Sequence, residues 1–350
     1  MYLFSRFTYQ KLQKKNILIV DDSNINHNFE FDDVEFINPR RVYLNYIIIS
    51  IFKCIINFKL KKKELKRQYL DIILKKINPK ISICNNINGF NFEIKKNNPN
   101  IKTIIYQHSY IYDFEIEKFK ELYKNKYTDY FLVFDERHKN IFEKLMRSKF
   151  IKAGSLINNS IRTVNQKKYI DILFISEFRK ENPKFKIDLE KKLLLIISNY
   201  CKSNNLNLYI ALNSIRKDKK IKLNDEINFY NNLNINFTYE LDKNSYELAD
   251  YSNLILCISS NLGIELLSKN KKVLFLNLMY EHNHKFRNPY FVNDNPFNLL
   301  KFDKKEIYSK IDRLINHNSN LWYEKNINFN DMLIFDDGNK ILKKLVNSIL

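Results

Sequence analysis

The chain predicts an α/β protein built as two domains, each a parallel sheet with helices on both faces. Three observations carry this. Short β-rich runs alternate with helical stretches, the pattern of strand–helix–strand crossovers. The alternation pauses at the polar, aperiodic segment Leu156–Tyr169 and then restarts. Hydrophobic residues make up 45% of the 350 and aromatic residues 14%, enough for sizeable cores and unlike a disordered chain. The domains are therefore placed at 1–160 and 161–350, the second with the C-terminal helices. Two such units joined by a linker would face each other across a cleft, and open parallel sheets bind ligands beyond the carboxyl ends of their strands.

In the first half, Lys15–Asp22 is a strand ending in acids, and Val34–Arg40 is a second. Helical patterns cover Val42–Phe58 and Lys62–Ile77, and Pro79 stops the latter. Strands follow at Lys80–Asn86 and Ile101–Ser109, a helix at Ile116–Tyr123, and a strand at Asp129–Asp135. A helix from Glu136 to about Met146 leads to the strand Lys149–Ser155. In the second half, strands are expected at Asp171–Phe178, Leu206–Leu212, Ile235–Glu240, Asn253–Ser259 and Lys271–Leu278. Helices are expected at Asp188–Ser203, Ser245–Ala249, Leu262–Ser268, Lys304–Asn316 and Asn339–Ile349. No internal repeat is apparent.

Composition excludes several classes. The glycines are Gly89, Gly154, Gly263 and Gly338, too dispersed for a dinucleotide turn or a phosphate-binding P-loop. Cys54, Cys84, Cys201 and Cys257 form no C-x-x-C pair, which argues against a zinc ribbon or disulfide framework and fits a reducing compartment. Lys and Arg total 59 against 39 Asp and Glu, a formal net charge of +20. Only 11 of the basic residues are arginine, the residue that reads bases and phosphates bidentately, so nucleic acid is not the expected partner. A basic surface suits an anionic membrane or a polyanionic donor. The apolar stretch Val42–Phe58 is interrupted by Asn45, Lys53 and Asn57 and is followed by Lys59, Lys61, Lys62, Lys63, Lys66 and Arg67. Two readings stand: a buried helix, or an interfacial helix with a basic flank toward lipid. The N-terminal residues lack the apolar core of a signal peptide, so a cytoplasmic, soluble or peripheral protein is expected.

Four windows fall at predicted strand ends. In Ala249–Asn277 a strand runs into Ser259-Ser260-Asn261 and a helix begins at once. Those side chains cap the helix or, with its free N–H groups and dipole, hold a phosphate. Gly263 allows close approach of a ligand or a neighbouring backbone, and Glu265, one turn on, has the chemistry to bind ribose hydroxyls. In Ile104–Phe114, His108 ends a strand, where it is a general base, a hydrogen-bonding group for a phosphate or sugar, or a loop histidine without a role. Gly154-Ser155 follows a third strand, with Asn158 near. Ser176, Glu177 and Arg179 leave a fourth, and Arg179 has the charge to neutralise a diphosphate. Other constellations fail. His282 and His284 lack the i, i+4 spacing of a helical zinc site, there is no G-x-S-x-G elbow, and Asp21-Asp22 reads as a cap rather than a metal pair. No metal is expected.

Several segments together resemble bacterial surface-carbohydrate biosynthesis proteins of the O-antigen and capsule type, which look like GT-B glycosyltransferases. They are Tyr106–Ser109 (YQHS), Asp129–Phe142, Ile151–Ser155 (IKAGS), Ala249–Asn277 and Phe335–Val346 with its D-x-G-N entry. The resemblance runs from about Ile101 to the C-terminus. It implies two Rossmann-like domains facing across a cleft, an N-terminal acceptor domain and a C-terminal donor domain. It also implies transfer of a sugar from a nucleotide-sugar to a surface or lipid-linked glycan, without cofactor or metal. Ser259, Ser260 and Asn261 would then hold the donor phosphate, Glu265 the donor ribose, and His108 would sit across the cleft near the acceptor or the transferred sugar. Ser109 departs from the family's glycine, which implies a different backbone there; the low glycine count argues against a close pyrophosphate turn and so points to a single-phosphate CMP-sugar donor rather than a diphosphate sugar. The alternatives are a polyol-phosphate transferase of the teichoic-acid type and a non-catalytic polysaccharide-assembly protein.

Overall fold

Runs of large aliphatic and β-branched residues make the strands, since such side chains suit a sheet covered on both faces. The computed structural model describes residues 7–21, 31–39, 41–57, 61–86, 89–161, 167–213, 220–278, 297–317 and 334–350. The chain divides into two compact units. Unit 1 holds Met1–Tyr110, Lys118–Ile161 and Asp336–Leu350, and unit 2 holds Ile111–Glu117 and Arg162–Phe335.

In unit 1, β1 (Phe7–Thr8) precedes β2 (Ile17–Val20), β3 (Val34–Ile37), β4 (Val42–Tyr43), α1 (Leu44–Ile56) and α2 (Lys62–Ile77). Then come β5 (Ile81–Asn85), α3 (Phe90–Asn97), β6 (Lys102–Tyr106), α4 (Ile116–Tyr123, in unit 1 from Lys118), β7 (Tyr127–Val133), α5 (Glu136–Glu143), β8 (Arg147–Lys152) and α6 (Leu156–Ser160). The main sheet has the order β3-β2-β5-β6-β7-β8, with every pairing parallel. From β2 the chain moves outward to β3 and then returns to the other side at β5, so the strand order reverses between β2 and β5. Such a switch point opens a crevice at the carboxyl edge. Ile17, Ile19, Ile81, Ile83, Ile104 and Leu132 form the core of this unit.

Unit 2 contains β9 (Ile170–Ile175), α7 (Lys184–Ser203), β10 (Leu208–Ala211), α8 (Lys220–Asn231), α9 (Ser245–Asp250) and β11 (Ser252–Cys257). These are followed by α10 (Asn261–Ser268), β12 (Val273–Leu276), β13 (Asn298–Leu299) and the helix Lys304–Ile315. Its sheet runs β10-β9-β11-β12-β13, again all parallel, with the reversal between β9 and β11. α7 buries Leu193, Leu194, Ile197 and Cys201 along one side, as its apolar spacing predicts.

Several elements differ from the sequence reading. The final helix, Lys340–Ile349, packs on unit 1 rather than on the second unit: Leu342 and Val346 join the core of the first sheet. Its entry is tied there by polar bonds. Asp336 N–H donates to Asn159 Oδ1 at 3.0 Å, and Asn339 Nδ2 donates to the Leu156 carbonyl at 3.0 Å. The predicted linker begins with α6, whose Leu156, Asn158 and Asn159 are buried. α3 escaped prediction because Asn91 occupies a core position, bonded to Ser82 and to the Ile104 carbonyl. α8 escaped for a similar reason, with Glu226 and Tyr230 on its buried side. The expected strand Ile235–Glu240 is reduced to a single bridge between Tyr209 and Thr238.

Candidate functional site

Unit 2 brings two of the sequence windows together. Its switch point lies between β9 and β11, so Ser176-Glu177 at the end of one strand meet Ser259-Ser260 at the end of the other. Glu177 is the centre. Its carboxylate accepts from the Ser259 hydroxyl at 2.6 Å and from the Ser259 N–H, and it pairs with Lys186 at 2.7 Å. Ser260 is the N-cap of α10, its hydroxyl accepting from Leu262 N–H at 3.3 Å. Ser260 and Asn261 remain half-buried at the positive end of that helix.

Beneath this edge lies a buried polar string. Ser176 donates to Glu226, and Tyr230 lies 2.5 Å from both the Ser176 hydroxyl and a Glu190 carboxyl oxygen. Glu226 also accepts from Asn213 N–H at 2.8 Å. Tyr230 has one hydroxyl proton for two neighbours, so a proton on Glu190 completes the string with one hydrogen per link. Burial pushes the Glu190 carboxyl up to about 8, consistent with its being protonated at neutral pH.

Unit 1 has its own constellation at the β2/β5 switch point. Asp21, at the end of β2, is buried and accepts from the Tyr106 hydroxyl and from Asn85 Nδ2 at 3.3 Å. His108, just past β6, is half-buried, and its N–H donates to Asn86 Oδ1 at 2.9 Å. Asn86 is itself fixed by N–H donation to the Tyr106 carbonyl at 2.8 Å. At the end of β7, Asp135 caps α5 and accepts from both His138 N–H and His138 Nδ1–H at 2.8 Å. Burial lowers the His138 pKa against the opposing pull of Asp135, and the pair is enclosed. Among the described residues no group of three His, Cys, Asp or Glu side chains is placed to hold a metal ion. A surface concavity of about 780 Å³ lies at the amino ends of β7 and β8, lined by Lys126, Tyr127, Arg147 and Lys149. It is on the edge away from these residues.

The family described as "putative O-antigen biosynthesis protein" matches residues 108–350. The chain belongs to this family. The match opens at His108 and includes all of the second sheet, while β2, β3, β5 and β6 precede it. No curated protein matches this O-antigen family member. Among solved structures, it is similar to the UDP-GlcNAc 2-epimerase from Neisseria meningitidis bound to UDP-GlcNAc, at 14% identity and a TM-score of 0.55 over 95% of this chain and 99% of that one. It is similar to the epimerase of Methanocaldococcus jannaschii in complex with UDP-GlcNAc and UDP, at 13% identity and a TM-score of 0.53, with coverages of 95% and 99%. The wall teichoic acid polymerase TagF aligns at 11% identity and a TM-score of 0.54, covering 96% of this chain and 88% of the polymerase chain. At these identities the likeness shows the fold, GT-B-like with two Rossmann-like domains.

The side chains singled out in this O-antigen family protein have specific surroundings. Gly263 does not leave room for a ligand: a Cβ there would lie 2.3 Å from Cys257 Sγ and 2.9 Å from the Phe275 ring, so its bareness lets α10 press onto the sheet. Glu265 is buried and accepts from the Tyr246 hydroxyl rather than presenting an open carboxylate. Ser176 is enclosed in the Glu226–Tyr230 string, and the Ser259 hydroxyl is committed to Glu177. Arg179 is exposed beyond β9. Gly154, at φ 69°, turns the chain into α6, and Ser155 caps that helix. Asp22 and the Tyr280–His284 segment lie outside the described residues. Glu190 had a sequence signal: a carboxylate standing on the apolar stripe of Leu193, Leu194 and Ile197. Asp21 had a weaker one, an acid closing an apolar strand.

Proposed function

We propose that the protein is a glycosyltransferase that moves a sugar from a nucleotide-sugar to a surface glycan or a lipid-linked glycan at the inner face of the cell membrane. The observation that carries this reading is the position of Ser260 and Asn261. They stand at the amino end of α10, beside the switch point of the second sheet, where backbone N–H groups and the helix dipole favour a phosphate. Membership of an O-antigen biosynthesis family supports the glycan acceptor. The UDP-GlcNAc and UDP named with the two epimerase structures support a nucleotide-sugar donor.

In this reading unit 2 holds the donor and unit 1 receives the acceptor. His108 takes the proton of the attacking hydroxyl, with Asn86 fixing its backbone. The leaving phosphate is offset by the amino end of α10 and by Arg179, without a metal or cofactor. Glu177 and Lys186 hold Ser259 in place beside the phosphate rather than binding it. A thermal-shift screen with CMP, UMP, UDP, GDP, dTDP and CDP tests the donor, because a ligand of the folded state raises the midpoint. A rise with one nucleotide, abolished in Ser260→Ala, supports the reading; no rise with any of them argues for a non-catalytic assembly protein.

The likeness to TagF in a structure soaked with CDPG favours a second reading, transfer of a polyol phosphate from a CDP-linked donor. Product analysis separates the two, since that reaction leaves CMP and adds phosphate to the acceptor. Isomerised nucleotide-sugar without transfer would overturn both and indicate an epimerase.

A further inference from the structure

Helix α1 faces the wrong way for a water-soluble surface. Its buried side is narrow and partly polar: Tyr46, Ser50 and Cys54, with the Ser50 hydroxyl donating back to the Tyr46 carbonyl. Leu44, Ile48, Ile51, Phe52 and Ile55 recur three and four residues apart and so share the other side. That side is open. Phe52 is 62% exposed, Ile56 72%, Ile48 49% and Ile55 50%. A contiguous aliphatic stripe of this kind on a folded protein marks an interaction surface.

The flank of the stripe is basic. Lys53 lies on α1, and Lys61, Lys62, Lys63, Lys66 and Arg67 open α2, which packs beside it; all six are exposed. Glu64 is the one acid among them. At 13 residues α1 is about 20 Å long, short of the roughly 30 Å hydrocarbon core of a bilayer. Among the described residues no helix is long and apolar enough to cross a membrane. A helix with these properties lies in the plane of the interface.

We propose that α1 is a membrane-docking face for an anionic bilayer. Ile48, Phe52, Ile55 and Ile56 enter the boundary between headgroups and acyl chains, and the lysines at the start of α2 meet the lipid phosphates. Charge decides between lipid and a second copy of the chain, because a second copy would bring the same six cations against these. The inference goes beyond the reading of the site as a glycosyltransferase, and it holds or fails independently of the donor chemistry.

Flotation of the full chain with vesicles tests it. The protein is expected to float with phosphatidylcholine vesicles containing phosphatidylglycerol, less so as salt is raised, and to stay in solution with phosphatidylcholine alone. Phe52→Glu with Ile56→Glu is expected to abolish flotation while leaving the thermal midpoint and any nucleotide-induced shift as in the parent. Lys62→Glu with Lys63→Glu is expected to weaken binding by about fivefold or more per lysine. Phe52→Trp, which keeps the stripe apolar, should retain flotation and show quenching by brominated lipid. Failure of the parent to float with anionic vesicles overturns the proposal, as does flotation that survives Phe52→Glu with Ile56→Glu. A concentration-dependent dimer that this double variant makes monomeric, in a protein that does not float, would assign the face to a second copy instead.

Discussion

At the switch point of unit 2 the polar side chains are spent on one another, whereas at that of unit 1 a histidine stays half-exposed. Ser176, Glu190, Glu226 and Tyr230 bond in a closed string, and Glu177 ties down Ser259. His108 has its backbone held by Asn86, and the residue is half-buried. Both regions are strand ends followed by polar residues, and in sequence they look equally ready for chemistry. The difference teaches that the bonds of a polar residue at such an edge depend on which strand lies beside it. In unit 2, β9 supplies Glu177 to the end of β11, while Ser260 and Asn261 stay half-buried at the start of α10. In unit 1, Asn86 at the end of β5 takes the His108 backbone N–H.

The comparison breaks most visibly at His108. His108→Ala is expected to cut turnover by about 100- to 10,000-fold, the usual worth of a general base, with the donor-induced midpoint shift unchanged. Steady-state kinetics beside the thermal-shift screen checks it, and undiminished turnover would remove unit 1 from the chemistry. Next comes Gly263→Ala, expected to cost about 1–3 kcal/mol by urea unfolding, because the new methyl must displace Cys257 or Phe275. A neutral result would show that Cys257 or Phe275 yields to the added methyl.

Glu190 sharpens the contrast through pH. Its pKa is raised from the ordinary 4.5 to about 8, so the fold prefers the protonated acid. Its contribution to stability is full below pH 4.5, declines as pH rises toward 8, and is lost above that. Glu190→Gln stays neutral throughout, so its stability relative to the parent should improve by about 1.4 kcal/mol per pH unit across that window. Urea midpoints of both proteins near either end of the window measure it, and parallel pH profiles would count against a protonated Glu190. The smallest effect is that of Ser260→Ala, about 1 kcal/mol for a lost cap, together with loss of the nucleotide-induced shift. Loss of stability with the shift retained would make Ser260 a cap alone.

Much of the candidate site is legible in the sequence. His108, Ser176 and Ser259-Ser260 fall at the ends of strand-like runs, and the structure places them just past β6, β9 and β11, because short apolar runs closed by polar residues report the carboxyl edge of a buried strand. Their partners were not legible. Glu177 meets Ser259 across 82 residues of chain, and Tyr106 meets Asp21 across 85. Periodicity carries no information about such pairs, since they depend on which strands become neighbours. The polar core positions Asn91 and Glu226 hide α3 and α8, and Glu190 interrupts the apolar side of α7, for the same reason: each bonds to a group outside its own helix.

By itself the sequence determined the α/β class, the restart of the pattern after Leu156–Tyr169, and most of the sheet strands, because alternation of apolar runs and helical periods is a local property of the chain. Tertiary structure decided where the last helix went. Leu342 and Val346 suit any apolar sheet face, and it was Asn159 and Leu156 that bound Asp336 and Asn339 and drew the helix onto unit 1. Tertiary structure also decided which side of α1 was buried. An isoleucine-rich helix can satisfy a core on several faces, and the packing chose Tyr46, Ser50 and Cys54, leaving Phe52 and Ile56 to the outside.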